Sequence, residues 1–336
     1  MGKLKYIVGR IFAMDYKSFF DTVQKAHEMS GKNRIYLFFD IIRCGFRYGA
    51  GYNDYLLCDF FGLTAAQRET YVTRSVNNTL VSMLNDREHY HTFDNKDEFY
   101  TMFGDLIGRE WIHFSMDKKQ QFLDFMKSRD VVIVKPKDGT GGKGVEKLNI
   151  NDFSSTQKMM DYMESIHAGV VEEVIVQNPV MGSLHPESIN TLRVVTILNE
   201  EGPHIVYAHV RIGNHGRPVD NLHSGGMFAS IDLDTGAVTF PAYDRDKKTY
   251  DVHPLTNVTI KGFQIPLWEE SKELCKKAAA RVPQMRYIGW DVAVSDKGPV
   301  LVEGNNLPGY DIIQMPPHTP DKIGMLPHFR KYVDGI

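Results

Sequence analysis

The sequence predicts an α+β protein whose first 90 residues are mainly helical. In that region apolar side chains recur at helical spacing, as at Val72, Val76 and Leu80. Between residues 188 and 240, three stretches alternate or run apolar in the manner of strands, with turn-forming residues between them. A glycine-rich stretch in the middle of the chain and an acidic stretch near its end each follow an apolar strand. These two stretches carry most of the predicted chemistry.

Composition restricts the functional classes. The 336 residues suffice for two or three compact units, and 42% hydrophobic with 24% charged residues is usual for a globular protein. The net charge of −3 argues against a general nucleic-acid-binding protein, so we expect no nucleic-acid partner. The three cysteines are far apart in the sequence and suit a reducing cytoplasm, which is the predicted location.

Stable membrane insertion is not expected, because no stretch approaches the roughly 18 apolar residues of a transmembrane helix. The start of the chain, MGKLKYIVGRIFAMDYKSFF, is basic and apolar, yet Arg10, Asp15 and Lys17 interrupt it and no small-residue cleavage site follows. We therefore predict no signal peptide. An amphipathic helix that lies on a surface is the alternative left open by this composition.

The glycine-rich stretch VVIVKPKDGTGGKG covers residues 131–144. Val131–Val134 predict a buried strand that Lys135 and Pro136 end, and residues 144–148 predict a return strand. Glycines let the loop backbone approach a ligand closely, and convergent N–H groups flanked by lysines suit an anion. Neither a Walker A loop nor a Rossmann turn is present. Two interpretations remain: a lid over the phosphates of a nucleotide, or a hairpin tip with solvated lysines.

Aromatic residues are concentrated in the helical region. Five of them lie within 14 residues of sequence: Tyr48, Tyr52, Tyr55, Phe60 and Phe61. They either line a pocket for an acceptor or form a hydrophobic core, and the core is the favoured interpretation.

The predicted strand GVVEEVIVQ, residues 169–177, is unusual because Glu172 and Glu173 interrupt an apolar stretch. A solvated strand edge explains the two acids. The alternative is a hinge beneath a nucleotide base, in which the backbone pairs with the adenine edge and a nearby acid holds the base amine or the ribose. From this strand alone, the solvated edge is favoured.

A hairpin is predicted near the end of the chain, in YIGWDVAVSDKGPVLVEGNN. Asp291 lies in its first strand, and Glu303 and Asn305 follow its second strand on one face, since residues i and i+2 of a strand share a face. A short hairpin brings Asp291 opposite this pair. Converging oxygen ligands of this kind suit Mg²⁺. A polar strand end beside a turn is the plainer alternative.

Two arginines lie inside predicted strands. Arg193 belongs to SINTLRVVTIL and Arg211 to PHIVYAHVRIG. They either point to solvent or, on neighbouring strands, face one anion together.

Taken in order, Lys135-Pro136 with its glycine loop, the two-acid strand and the Asp…Glu-x-Asn set resemble the ATP-grasp superfamily. The stretches SINTLRVVTI, VRIG, VDNLHSGG, GWDVAV and EGNNLPGYDIIQ are similar to the sugar-transfer-associated ATP-grasp family, which occurs among genes for cell-surface polysaccharides. The resemblance spans roughly residues 91–320.

The resemblance implies an ATP-grasp fold, in which two α+β subdomains clamp ATP. Residues 91–170 are then the N-terminal subdomain with its glycine-rich lid. Residues 171–336 are the C-terminal subdomain with the metal and substrate site. Residues 1–90 match the superfamily poorly and are expected to form a helical accessory region.

The resemblance also implies roles for individual residues. The nucleotide-binding residues are Lys96, Lys135, Gly139, Thr140, Gly141, Gly142, Lys143 and Gly144, with Glu172, Glu173 and Val174 as the adenine hinge. The ligands for one or two Mg²⁺ ions, or for Mn²⁺ in their place, are Asp291, Glu303 and Asn305. Arg193, Arg211 and Lys143 stabilise transferred charge, and His223 or Asp220 is the candidate base.

The function implied is an ATP-dependent ligase that joins a carboxylate to an amine through an acyl phosphate, on a sugar acid or a similar surface-polymer precursor. The partners are small molecules, and a homodimer is left open. Two alternatives remain. The same scaffold could phosphorylate a hydroxyl group as a kinase, or bind ATP without turnover.

Overall fold

The computed structural model describes residues 15–137, 144–214 and 225–336. The chain forms two compact units. The first, which we call the helical unit, comprises Met1–Leu80 with Gly309–Ile336. The second, the sheet unit, comprises Val81–Pro308. The predicted division into residues 1–90, 91–170 and 171–336 stays a prediction.

The helical unit consists of short and medium helices, as predicted for the start of the chain. Their bounds are α1 Tyr16–Ser30, α2 Arg34–Arg47, α3 Tyr52–Leu57 and α4 Ala65–Arg68, followed by the first residues of α5 Arg74–Leu84. The C-terminal segment adds 3₁₀ turns at Ile312–Gln314 and Pro316–His318 and a short helix, Leu326–Phe329. Gln314 joins this segment to the rest of the unit, because its side-chain amide bonds both the N–H and the C=O of Val72 at 2.9 Å.

Aromatic packing forms the core of the helical unit. Tyr55, Phe60 and Phe61 are buried together with Phe19 and Leu37, which supports the interpretation of these aromatics as core. Asp40 is buried in the same core, where it accepts hydrogen bonds from Arg68 and from the Tyr55 hydroxyl. A buried carboxylate needs such partners, because desolvation of an unpaired charge is costly.

The first part of the sheet unit is a four-stranded antiparallel sheet in the order β1-β4-β2-β3. Its strands are β1 Trp111–His113, β2 Val131–Pro136, β3 Glu146–Asn149 and β4 Ala168–Glu173. Helices α8 Lys119–Met126 and α9 Thr156–Ser165 supply core residues beneath it, and α6 His91–Asp94 and α7 Lys96–Phe103 precede it in the chain. The predicted β2–β3 hairpin is confirmed by the pairing of Val131 with Asn149.

The second part is a seven-stranded antiparallel sheet in the order β11-β10-β5-β6-β7-β8-β9. Its strands are β5 Thr191–Asn199, β6 Gly202–Ile212, β7 Met227–Ile231, β8 Ala242–Tyr243, β9 Thr249–Tyr250, β10 Tyr287–Ser295 and β11 Gly298–Asn305. Helix α11, Trp268–Arg281, packs on its apolar face, and the short α10, Pro179–Leu184, precedes it. Strand β10 is buried along its whole length.

One strand prediction was too long. The strand expected over residues 169–177 ends at Glu173, so Val174 lies beyond it. Only Gln177 pairs again, as an isolated bridge to Ser295 of the other sheet. None of the described helices has both the length and the apolar content needed to span a bilayer.

Candidate functional site

Three charged side chains meet on one face of the seven-stranded sheet. Arg193 on β5 lies directly opposite Asp291 on β10, and its guanidinium bonds both carboxylate oxygens, at 2.5 and 3.1 Å. Arg211 on β6 donates to the same carboxylate at 2.8 Å. The two arginines therefore do face one anion together, which is one of the two arrangements predicted from the sequence. That anion is the side chain of Asp291.

The β10–β11 hairpin has the register that places its acidic residues together. Asp291 pairs directly with Glu303, and a bulge follows between Asp291 and Val292. Bulges of this kind re-aim side chains next to functional sites. The Asn305 amide lies 3.4 Å from the Glu303 carboxyl, on the same side of β11. The predicted juxtaposition of Asp291, Glu303 and Asn305 is thus present in the structure.

Gly304 lets the chain place Glu303 and Asn305 over a packed aromatic core. A Cβ atom at this position would lie 2.9 Å from the ring of Phe93 and 3.1 Å from that of Phe99. Only glycine fits this approach without displacing the rings. We call Arg193, Arg211, Asp291, Glu303 and Asn305 the hairpin cluster.

The two carboxyl groups of the hairpin cluster have opposite electrostatic environments. Burial disfavours the ionised form of Asp291, but Arg193 and Arg211 outweigh it and hold the pKa of Asp291 at about 2. Burial and the adjacent charge of Asp291 both raise the pKa of Glu303, which also hydrogen-bonds Asp291. Neighbouring acids whose pKa values are pushed apart are common at functional sites.

A second buried cluster lies on the four-stranded sheet. The Lys135 ammonium on β2 contacts the Glu172 carboxylate at 3.0 Å and donates to the Tyr100 hydroxyl at 2.8 Å. Arg109 pairs with the same Glu172 at 2.7 Å, and the Tyr100 hydroxyl donates to Glu172. All four side chains are buried or nearly so. We call them the lysine cluster.

The charges of the lysine cluster stabilise one another. Burial opposes ionisation of Glu172, but Arg109 and Lys135 together lower the pKa of that carboxyl. Burial also lowers the pKa of Lys135, although the negative charges of Glu172 and Glu303 partly offset this effect. The charge of Glu303 in the hairpin cluster thus acts on Lys135 of the lysine cluster. Arg109 also connects them, since it donates to the backbone carbonyl of Leu301 at 2.9 Å.

The remaining predicted nucleotide-binding residues lie around the lysine cluster or outside the described residues. The Lys96 N–H donates to the Lys137 carbonyl at 3.5 Å, just past the end of β2. Glu173 accepts from the Glu110 N–H at 3.1 Å, and its partly exposed carboxylate faces Arg129 at 3.5 Å. Gly144 has φ of +73°, a conformation that favours glycine. Gly139, Thr140, Gly141, Gly142, Lys143, Asp220 and His223 lie outside the described residues.

Two residues of the lysine cluster, Tyr100 and Arg109, were missed by the sequence analysis. Neither belongs to a motif, and each is more than 60 residues from Glu172 in sequence. The available signal was Glu172 itself, because a carboxylate inside an apolar strand requires a cationic partner if it is buried. The interpretation of Glu172 as a solvated strand edge is wrong, since this residue is buried and paired.

The residues proposed for a metal ion fit Mg²⁺ by donor chemistry. Asp291, Glu303 and Asn305 offer two carboxyl groups and an amide oxygen, the hard ligands that Mg²⁺ prefers. Throughout the described ranges, no group of three or more His, Cys, Asp or Glu side chains is arranged to bind a metal. A set of two acids and one amide differs from such a group in having fewer charged ligands. This suits an ion that is shared with substrate phosphates.

Comparison with known proteins identifies the family. The model of the sugar-transfer associated ATP-grasp family matches residues 75–320, which contain both clusters. No match was found among curated protein sequences.

Several solved structures are similar to this chain. D-alanyl-alanine synthetase A from Vibrio cholerae is 14% identical, with 76% of this chain and 67% of that protein covered, at a TM-score of 0.42. L-amino acid ligase from Bacillus licheniformis is 10% identical, with 73% and 49% covered and a TM-score of 0.44. D-alanine–D-alanine ligase from Bacillus anthracis is 17% identical, with 77% and 74% covered and a TM-score of 0.41.

This chain thus spans only about half the length of the Bacillus licheniformis protein. At such identities and TM-scores, these similarities assign no activity or substrate to it. The family match covers most of the chain and agrees with the resemblance stated from the sequence. The chain belongs to the sugar-transfer-associated ATP-grasp family and has its α+β ATP-grasp fold.

Proposed function

We propose that this protein is an ATP- and Mg²⁺-dependent ligase that joins a carboxylate to an amine and forms ADP. The observation that carries the proposal is the hairpin cluster, in which two arginines and two carboxyl groups with an amide converge on one sheet face. Cations and hard oxygen ligands side by side are what transfer of a phosphoryl group requires. Family membership supports the use of ATP.

In this proposal the lysine cluster forms the nucleotide side of the site. Lys135 is held by Glu172 and Tyr100, which keep its ammonium in a fixed position. A pre-oriented cation can then meet the nucleotide phosphates without further reorganisation. Lys96 and the loop Gly139–Gly144 with Thr140 and Lys143 add contacts to the phosphates. Glu172 and Glu173 at the end of β4, with the backbone of Val174 just past it, form the adenine hinge.

Asp291, Glu303 and Asn305 are the residues that hold one or two Mg²⁺ ions, or Mn²⁺ in their place. When bound, the ion neutralises charge on the ATP phosphates. Arg193 and Arg211 position the Asp291 carboxylate and present their guanidinium groups to the transferred phosphate and to the substrate carboxylate.

The proposed reaction has two steps. A substrate carboxylate oxygen attacks the γ-phosphorus of ATP, the bond to the bridging oxygen breaks, and ADP leaves with that electron pair. The amine then attacks the carbonyl of the acyl phosphate, and inorganic phosphate leaves as the amide forms. The amine proton passes to a base, for which His223 or Asp220 is the candidate. The substrate is a small carboxylate such as a sugar acid from a cell-surface polysaccharide precursor, and the site of action is the cytoplasm.

The test is an acyl-phosphate trap. The full chain is incubated with MgATP, a panel of uronic and amino acids, and hydroxylamine as a general amine, and products are analysed by mass spectrometry. A hydroxamate with stoichiometric ADP is expected and identifies the carboxylate. A phosphorylated acceptor without hydroxamate would instead establish the kinase alternative. Nucleotide binding without turnover across the panel would favour the binding module and overturn the ligase assignment.

A further inference from the structure

Helix α2 of the helical unit is apolar on two opposite faces. Leu37, Ile41 and Cys44 face the core and are buried. On the opposite side, four residues at i, i+4, i+7 and i+11 form an apolar stripe: Ile35, Phe39, Ile42 and Phe46. Ile35 is 70% exposed and Phe39 63% exposed. Ile42 is partly buried against the core of the helical unit, so Ile35, Phe39 and Phe46 are the stripe residues that lack an apolar covering.

The stripe continues onto helix α1 and forms a larger aromatic surface. Phe20 is 57% exposed, its ring lies 6.3 Å from that of Phe38, and Phe38 in turn contacts Phe39 of the stripe edge to face at 5.2 Å. Tyr16 and Tyr36 are half-exposed on the same two helices. Contiguous exposed apolar patches are rare on monomeric proteins and mark sites of interaction. We call Tyr16, Phe20 and Tyr36 with the α2 stripe the aromatic face.

An apolar cavity adjoins the aromatic face. It has a volume of about 1080 Å³, and Phe20, Phe38, Ile42 and Phe46 belong to its lining. This is the size of a site for a large apolar ligand group. The polar groups in its lining come mainly from the first turn of α5 and from the start of α1: Arg74, Ser75, Asn78, Asp15 and Ser18.

The charge next to the stripe is positive. Helix α2 carries three exposed arginines, Arg34, Arg43 and Arg47, and its one acid, Asp40, is buried against Arg68. Arg47 makes a surface pair with Glu69, which is of little energetic weight. Helix α1 carries both signs, so the basic excess lies on α2. Exposed aromatic and aliphatic residues flanked by arginine are the features of helices that bind in the interface of an anionic membrane.

We propose that the aromatic face binds the surface of an anionic phospholipid bilayer, with the adjoining cavity receiving an acyl chain. The stripe residues enter the headgroup–acyl boundary, and Arg34 and Arg43 contact lipid phosphates. The helix lies in the plane of the membrane surface and does not cross it. This inference is independent of the chemistry proposed for the sheet unit.

The first test is co-sedimentation of the full chain with vesicles of phosphatidylcholine alone or mixed with phosphatidylglycerol. Binding is expected with the mixed vesicles and is expected to weaken as salt is raised. Ile35→Ser with Phe39→Ser should lower the vesicle affinity about tenfold or more, because two large apolar groups no longer leave water. Arg34→Gln and Arg43→Gln should each lower it about fivefold.

Leu255→Ser is the matched control, because Leu255 is 55% exposed and lies in the sheet unit. It should leave vesicle binding unchanged. The serine variants replace exposed side chains, so an unchanged unfolding temperature will show that they are folded. Failure of the wild-type chain to bind mixed vesicles would overturn the proposal. So would a self-association of the wild-type chain that Phe39→Ser abolishes, which would assign the aromatic face to a second copy.

The second test addresses the cavity. Gly45 lines it, and a Cβ atom there would meet only the Ala50 carbonyl oxygen, at an ordinary 3.7 Å. Gly45→Leu therefore adds a large apolar side chain to the cavity lining, and its Cβ atom meets no steric clash. Native mass spectrometry of the full chain with short-chain phosphatidylglycerol should show a one-to-one adduct that this substitution reduces about tenfold. Equal adduct with both chains would show that no acyl chain enters the cavity.

Discussion

Both units bury an arginine–aspartate pair, and the two pairs differ in what surrounds them. In the helical unit, Arg68 bonds Asp40 at 2.7 and 2.8 Å and also donates to the Phe60 carbonyl and to the Cys44 sulfur. In the sheet unit, Asp291 bonds Arg193 and also Arg211 and Glu303. In the first pair, the two charges bond each other and are surrounded by an apolar core. In the second pair, two further charged side chains, Arg211 and Glu303, lie beside Asp291 near the ends of strands β6 and β11.

The comparison indicates that burial of an ion pair alone does not identify a functional site. Arg68 and Asp40 are as buried as Arg193 and Asp291 and also share two hydrogen bonds, yet the groups around them are Tyr55, Cys44 and a backbone carbonyl. What distinguishes Asp291 is a second carboxyl group beside it. A chain that needed only stability would not place two acids together in a buried position, because each disfavours ionisation of the other.

The largest expected effect concerns Glu303. Glu303→Ala should reduce MgATP turnover about a thousandfold or more, since it removes a ligand that holds charge at the transferred phosphate. Its effect on the unfolding temperature should be small, because it removes both the repulsion between the two carboxyl groups and the hydrogen bond that joins Glu303 to Asp291. The measurement is ADP release with the carboxylate found in the hydroxylamine assay. Glu200→Ala, on an exposed turn, is the matched control and should keep full activity. Full activity of Glu303→Ala would show that Glu303 does not bind the metal ion.

The second prediction concerns the Arg68–Asp40 pair of the helical unit. Asp40→Asn should lower the free energy of unfolding by about 3–5 kcal/mol, because it leaves the buried Arg68 without a compensating charge. Urea denaturation measures this loss, with the exposed Asp21→Asn as the control. Nucleotide affinity of the folded protein should be unchanged. If Asp40→Asn were as stable as the wild type, the structural role assigned to the pair would be wrong.

Much of the fold and the site was predictable because the signals are local. The glycine-rich hairpin, the Asp291–Glu303 register and the common direction of Arg193 and Arg211 all follow from alternation along neighbouring strands. Tyr100 and Arg109 escaped prediction because their partner Glu172 is distant in sequence and only the packed sheet brings them together. The joining of residues 309–336 to the helical unit likewise depends on contacts such as Gln314 with Val72.

Helix α2 of the helical unit shows a different limit. Helical spacing identifies which residues share a face of α2, but both faces are apolar. The pattern alone therefore does not tell which face meets the core. The structure resolves this, since Leu37 and Ile41 are buried while Ile35 and Phe39 are exposed.

A third, smaller effect is expected at the glycine between the two metal-binding candidates. Gly304→Ala should cost about 2–3 kcal/mol, because its Cβ would overlap the rings of Phe93 and Phe99 in a packed core. It should also weaken Mg²⁺-dependent ATP binding, as relief of the overlap shifts Glu303 and Asn305. Isothermal calorimetry with and without Mg²⁺ measures this. Gly62→Ala is the control, since nothing lies within 4 Å of the added atom, and equal stability of the two variants would contradict the packing argument.

The smallest expected effect on stability concerns one hydrogen bond to the Arg68–Asp40 pair, the bond from Tyr55. Tyr55→Phe removes the hydroxyl that donates to Asp40 at 2.8 Å and leaves the two bonds from Arg68 intact. The expected cost is about 1.5 kcal/mol, the lower end for a bond to a charged group, because Asp40 keeps its cationic partner. Urea denaturation is again the measurement, with Tyr36→Phe as an exposed control. If Tyr55→Phe lowered the free energy of unfolding as much as Asp40→Asn, then the hydroxyl of Tyr55, and not the charge of Arg68, would be the main group that stabilises Asp40 in the core. The contrast drawn with Asp291, which rests on paired charges, would then fail.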